Sequence, residues 1–216
     1  MARSTGCIHI CSVYDSPAEQ LAALLPFIET GIRKSERCIC ILHDRTRDEF
    51  LEALAERRID GQRLLNVGQL VLPSKADTYL RQRPFDPNAT VQGMWQLVRG
   101  AHEAGFSGCR ITADMSWALD TKCEGLIEYE RLCNTGSDAF NVTGLCQYDR
   151  RRFTPAIIKD ILRTHPWVML QKRTYANFYY EPPTIFSQNQ QGEEYVQLML
   201  TNIRRRRGTS AEQEDA

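Results

Sequence analysis

Short apolar runs alternate along this chain with stretches in which apolar positions recur every three or four residues. CIHICSVY (7–14), RCICILH (37–43), GQLVLP (68–73), CRITADM (109–115), AFNVTGLCQYD (139–149) and WVMLQKR (167–173) are rich in strand formers and read as strands. The segments between them read as helices. Ser16, Pro17 and Glu19 form a helix start, and Leu21, Leu24, Leu25, Ile28 and Ile32 follow at helical spacing. Pro26 is expected to kink or divide that helix, and Gly31 to stop it. Thr46 and Glu49 open a second helix, RDEFLEALAERR. Met94, Leu97, Val98 and Ala101 give a third its apolar face, and Gly105 ends it. GLIEYERLC and TPAIIKDILRTHP (154–166) complete the series, the latter stopped by Pro166. Strands that are apolar on both faces, each followed by a helix, predict an α/β fold of three layers: a mainly parallel sheet with helices on both faces.

Composition narrows the class. The chain has 216 residues, enough for one sizeable domain, with 42% hydrophobic and 25% charged residues. Lys plus Arg equals Asp plus Glu, so no general affinity for nucleic acid or anionic membrane is expected. The apolar runs fall far short of the ~20 residues of a membrane span, and MARSTGCIHICSVYDS lacks a signal peptide's apolar stretch. Eight cysteines lie mostly within apolar runs and none forms a CxxC pair, which suits a reduced, cytoplasmic protein with cysteine as core. Residues 1–186 are expected to form the domain. Residues 187–216 read as a polar linker, SQNQQGEE, and a short helix, EEYVQLMLTNIRRRR, whose arginines suit a solvated helix end.

CRITADM ends on an acid, Asp114, where a RecA-type ATPase would hold magnesium. Such an ATPase also needs a glycine-rich loop with a lysine after its first strand. Here that segment is YDSPAEQLAA, with neither glycine nor lysine. The skeleton is thus compatible with a RecA-like domain that has lost its nucleotide site. Ligands of open α/β sheets tend to sit at the carboxyl ends of strands, so Asp114, Tyr14 and Tyr148 are placed near that edge.

Read in order, HICSVYDS, PFIETGIRKSERCICIL, GFSGCRITADMSWAL, EYERL, LCQYDRRRF, RTHPWVML and NFYYEPP resemble the MEDS domain, the methanogen/methylotroph DcmR sensory domain, over about residues 5 to 186. The resemblance implies a cytoplasmic sensory module of RecA/KaiC-like fold, without a phosphate-binding loop and without catalytic residues. It implies a response to small hydrocarbon derivatives, relayed to a kinase or transcriptional regulator on a separate chain, since this sequence has no room for either domain. NFYYEPP departs from the family's frequent NPYY, which alters the local turn.

The candidate ligand-binding residues are His9, Cys11, Tyr14, Asp114, Met115, Trp117, Glu130 and Tyr148. His9 and Cys11 share a strand face. Met115 and Trp117 would wall an apolar pocket that Asp114 orients. Glu128 and Glu130 flank Tyr129 on different helix faces, so one is expected at the sheet and one in solvent. Arg150, Arg151 and Arg152 could meet an anion. His9, Cys11, Cys146 and His165 make a zinc-like ligand list, but their irregular separations signal no site, and no metal or cofactor is expected. Two rival readings stand beside the sensor: an adaptor that binds a protein partner without a small ligand, and an enzyme, either a degenerate nucleotide hydrolase or a thiol enzyme using Cys11 or Cys146. No catalytic residue is assigned, and homo-oligomerisation is left open.

Overall fold

The computed structural model describes residues 7–135, 140–170 and 173–186, together with the helical positions Leu198, Leu200 and Asn202. One sheet runs through it in the order β3-β2-β4-β5-β1-β6-β7. The strands are β1 (Cys7–Tyr14), β2 (Arg37–Ile41), β3 (Leu70–Val71), β4 (Cys109–Asp114), β5 (Val142–Asp149), β6 (Trp167–Leu170) and β7 (Arg173–Ala176). All pairings are parallel except β6 with β7. The single strand expected over 167–173 is therefore a pair. β7 folds back antiparallel on β6, and its four residues are exposed, as suits a sheet edge.

The helices are α1 (Pro17–Arg33), α2 (Arg47–Glu56), α3 (Gly61–Asn66), α4 (Pro87–Glu103), α5 (Leu126–Cys133), α6 (Pro155–Thr164) and α7 (Pro183–Phe186), with a 3-10 helix over Met115–Thr121. Their starts follow the capping residues. Ser16 Oγ accepts the Glu19 amide, and Thr46 with Glu49 forms a complete capping box. The short α3, which hydrophobic periodicity does not reveal, is capped by Asp60. The described residues run up to the expected boundary at 186, and most of the charged tail lies outside them. Asn202 Nδ2 donates to the Phe178 carbonyl at 2.7 Å.

Pro26 does not divide α1, which runs unbroken from Pro17 to Arg33. The lost backbone donor is outweighed by burial of Leu24, Leu25, Phe27 and Ile28 against the sheet. Nor is Gly31 the stop. It sits inside the helix because a Cβ there would lie 2.6 Å from both Arg110 Cδ and Cys38 Sγ. The normal helical gain of Gly→Ala, about 1 kcal/mol, should therefore reverse. Gly31→Ala is expected to cost about 1–3 kcal/mol by overpacking, read as a lower urea midpoint. A raised midpoint would contradict this packing.

The core lies on both faces of the sheet. On one, α1, α2 and α3 cover β2 and β4, with Phe50, Leu54, Leu64 and Leu70 buried. On the other, α4, α5, α6 and the 3-10 helix cover the middle of the sheet, around Tyr79, Met94, Trp117, Leu126 and Ile161. β1 leads into α1 through only Asp15 and Ser16, the latter already the helix cap. No phosphate-cradling loop fits in that connection.

Candidate functional site

The carboxyl edge of the sheet is the first place to look. Asp114 caps the 3-10 helix, its Oδ1 accepting the Ser116 amide at 3.0 Å and its Oδ2 the Gln20 side chain at 3.3 Å. Both carboxylate oxygens are thus engaged by protein donors. Met115 and Trp117 are wholly buried. Trp117 stacks on Tyr79 with ring centroids 4.4 Å apart and packs against Phe85 at 4.7 Å. Tyr14 is buried at the end of β1, where burial and then the charge of Asp114 push its phenol up. The neighbouring arginines are each paired: Arg150 with Asp15, Arg151 with Asp149 and Arg152 with Asp44. The charged groups named at this edge are thus matched within the protein.

The unusual chemistry lies deeper, under α5 and midway along the central strands. β1 and β5 run in register with His9 opposite Gly144 and Cys11 opposite Cys146. Side chains two apart on a strand share a face, so His9 and Cys146 both point toward α5 and α6. Glu130 reaches down from α5, and His165 sits where α6 gives way to β6. His9, Glu130, Cys146 and His165 are all buried, and their ligand-type atoms lie within 4.8 Å of one another. Glu130 Oε2 is 3.1 Å from His9 Nε2, 3.2 Å from His165 Nε2 and 3.6 Å from Cys146 Sγ. Cys146 Sγ is 3.4 Å from His9 Nε2, and the two imidazole centroids are 4.0 Å apart. Tyr148 donates its hydroxyl to Glu130 Oε1. Cys11, beside them on β1, is buried in the adjoining core and does not join the cluster.

Surrounding hydrogen bonds fix the imidazole tautomers. The Asn134 amide Nδ2 donates to the carbonyls of Glu130 and Thr164 at 3.0 and 2.8 Å, which turns its Oδ1 toward His9 Nδ1 at 3.2 Å. His9 Nδ1 must therefore carry a proton. His165 Nδ1 faces the Ile161 carbonyl at 2.8 Å and must carry one too. In a neutral ring the other nitrogen then presents a lone pair, and both Nε2 atoms face the same oxygen of Glu130. His165 Nε2, fully buried, makes no hydrogen bond despite its 3.2 Å approach. Burial, reinforced by His165, pushes His9 below its ordinary range and favours the neutral ring. For Glu130, burial raises the carboxyl, and only a protonated His165 or His9 donating to it would pull it back down. Burial pushes the Cys146 thiol up.

A cavity of about 60 Å³ adjoins this cluster. Val91 and Met94 of α4 and Ile111 and Ala113 of β4 form its apolar wall, and His9 and Cys146 belong to its lining. Gly144 also lines it, and a Cβ there would rest 3.6 Å from His9 Cδ2, an ordinary contact.

The structure thus gathers three of the candidate residues, His9, Glu130 and Tyr148, into one place, and keeps Tyr14, Asp114, Met115 and Trp117 apart from them. It adds His165, which the sequence offered only in a weak metal-ligand list, Cys146, offered there and as a rival thiol nucleophile, and Asn134, which carried no signal beyond its place after a helix. Glu128, by contrast, is at the surface with Arg131.

A mainly parallel sheet covered on both faces, lacking a phosphate loop, defines a RecA/KaiC-like α/β domain. The same fold is found in a KaiC-like protein of the hyperthermophilic archaeon Pyrococcus horikoshii OT3, with a TM-score of 0.52 and 11% identity over 74% of this chain and 70% of that one. The chain belongs to the MEDS family, the methanogen/methylotroph DcmR sensory domain, whose family model matches residues 8–166. It is also similar to the transcriptional repressor DcmR of Methylorubrum extorquens strain DM4, 29% identical over 160 residues. That match takes in 73% of this chain and 57% of the repressor, so the chain spans little more than half the repressor's length. The described residues include no helix long and apolar enough to cross a membrane.

Proposed function

We propose that this chain is a non-catalytic sensory domain that binds a small apolar molecule beneath α5 and relays its presence to a separate regulator or kinase. The observation that carries this reading is the apolar cavity placed directly against a fully buried polar cluster. A pocket of that kind selects by shape and then orients by a few polar groups. Its volume, about 60 Å³, suits a molecule of a few heavy atoms. That agrees with a hydrocarbon derivative of one to three carbons, and this cavity is too small for a nucleotide. Family membership and likeness to a repressor support a regulatory role in place of turnover. The buried thiols also speak against thiol catalysis, since burial raises both Cys11 and Cys146 and so disfavours the thiolate.

A ligand shifts a protein's state only by its differential affinity for the two conformations. Here it would bear on α4, α5 and the two central strands at once.

Gly144→Ala tests the site. Removing glycine's freedom from an unstrained strand should stabilise the fold by about 0.4–1 kcal/mol. The added methyl narrows the cavity, where one methylene is worth about 1–3 kcal/mol, so ligand affinity should fall about tenfold or more. Calorimetric titration with chlorinated, hydroxylated and aminated one- to three-carbon compounds, beside a urea melt, reads both effects. A ligand bound equally well by wild type and variant would place its site elsewhere.

A further inference from the structure

We propose that His9, Glu130, Cys146 and His165 bind one divalent transition-metal cation of the zinc class. The inference stands on the cluster alone and does not depend on the cavity's ligand.

The first argument is geometric. Four-coordinate zinc takes N, O and S ligands at about 2.0–2.3 Å, so the edges of its tetrahedron run roughly 3.3–3.8 Å. Four of the six separations here are 3.1, 3.2, 3.4 and 3.6 Å, and all six lie within 4.8 Å. Small side-chain shifts would bring the four atoms onto such a polyhedron.

The second concerns lone pairs. Asn134 and the Ile161 carbonyl hold both imidazoles with the proton on Nδ1. Two neutral rings then aim lone pairs at a carboxylate oxygen that is itself an acceptor. Without a cation between them this contact is repulsive, and it leaves His165 Nε2 buried without a partner. Without a metal, the contacts are met by one imidazolium, His165, paired with Glu130 while His9 accepts the Cys146 thiol. With a metal, both rings stay neutral. The cation accepts the two lone pairs, and a thiolate with a carboxylate balances its charge.

The third is the surrounding shell. Metal-bound histidines commonly donate their other N–H to a carbonyl or similar acceptor, which fixes the ring and its tautomer. Both histidines do so here. Tyr148 donates to Glu130 Oε1, leaving Oε2 to face the cluster. Neutral imidazole, thiolate and carboxylate together suit a borderline cation such as zinc and do not suit calcium or magnesium, which take oxygen. The cation would join β1, α5, β5 and the α6–β6 corner. His9 and Cys146 also line the cavity, so a molecule there would press on two of its ligands.

Cobalt is the probe, since a buried site fills as the chain folds. The full-length protein is produced in medium supplied with Co²⁺ in place of Zn²⁺, and metal content and absorption are measured. One cobalt per chain is expected, with visible bands of tetrahedral intensity and a near-ultraviolet thiolate-to-cobalt band. Cys146→Ala should abolish the thiolate band, and Cys11→Ala should leave it intact. A natively folded chain carrying no cobalt, or a thiolate band that survives Cys146→Ala, overturns the proposal. Should Cys146→Ala fail to fold, nitrogen-15 spectra of the wild-type imidazoles decide. Nδ1–H rings with metal-shifted Nε2 support the site, and a doubly protonated ring, or an Nε2 without a metal shift, refutes it.

Discussion

In the presence of a chelator, Glu130→Gln should fold at least as stably as the unaltered protein, whereas Glu130→Ala should lose about 2–5 kcal/mol. Alanine leaves the buried Tyr148 hydroxyl without its acceptor and opens a void between two imidazoles. An orphaned buried polar group alone costs about 1–3 kcal/mol. Glutamine keeps the shape and inverts the logic. Its carbonyl can accept from Tyr148, and its amide can donate to the Nε2 lone pairs that stand 3.1 and 3.2 Å from the present oxygen. Were both imidazoles charged donors, glutamine would remove their only counter-charge and cost as much as alanine. Urea melts of the three proteins in chelator therefore report the protonation of the cluster. Glutamine as damaging as alanine would contradict the tautomers assigned here.

Trp117→Ala should be the most damaging of the aromatic truncations, at about 3–5 kcal/mol. For a domain whose total stability is typically about 5–15 kcal/mol, that is a large share. The indole is fully buried, stacked on Tyr79 at 4.4 Å and packed on Phe85 at 4.7 Å. It holds the loop before α4 and the 3-10 helix after β4 against one another. Trp117→Phe should recover most of the loss. The account gives Trp117 a packing role, so a variant with an unchanged urea midpoint and abolished ligand binding would move the site to the carboxyl edge.

The layered fold was legible because its strands are apolar on both faces and its helices announce themselves through Ser16, Thr46 and Thr154 at their caps. What stayed hidden depends on tertiary contact. Pro26 reads as a break until the apolar face beneath it is seen. Gly31 reads as a stop until Arg110 and Cys38 are found against it. β7 is a polar edge strand with no buried face to mark it.

The site was half visible. His9 and Cys11 share a face by strand periodicity, but which of Cys11 and Cys146 joins His9 depends on the register of β1 with β5. Glu130 and Glu128 are equivalent in sequence, and only the docking of α5 separates a buried carboxylate from a solvated one. His165 looks like a helix stop before proline. It is also the residue that the α6–β6 corner turns inward toward a histidine far earlier in the chain.

The central claim is that the cavity under α5 receives the signal. Methyl-resolved NMR during titration with one- to three-carbon halogenated, hydroxylated and aminated compounds tests it most directly. At least one compound should shift the methyl groups of Val91, Met94, Ile111 and Ala113 in a saturable way, with Leu24 and Ile28 on the opposite face of the sheet unmoved. Saturable shifts confined to residues around Trp117, or to the α1 face, would contradict the account.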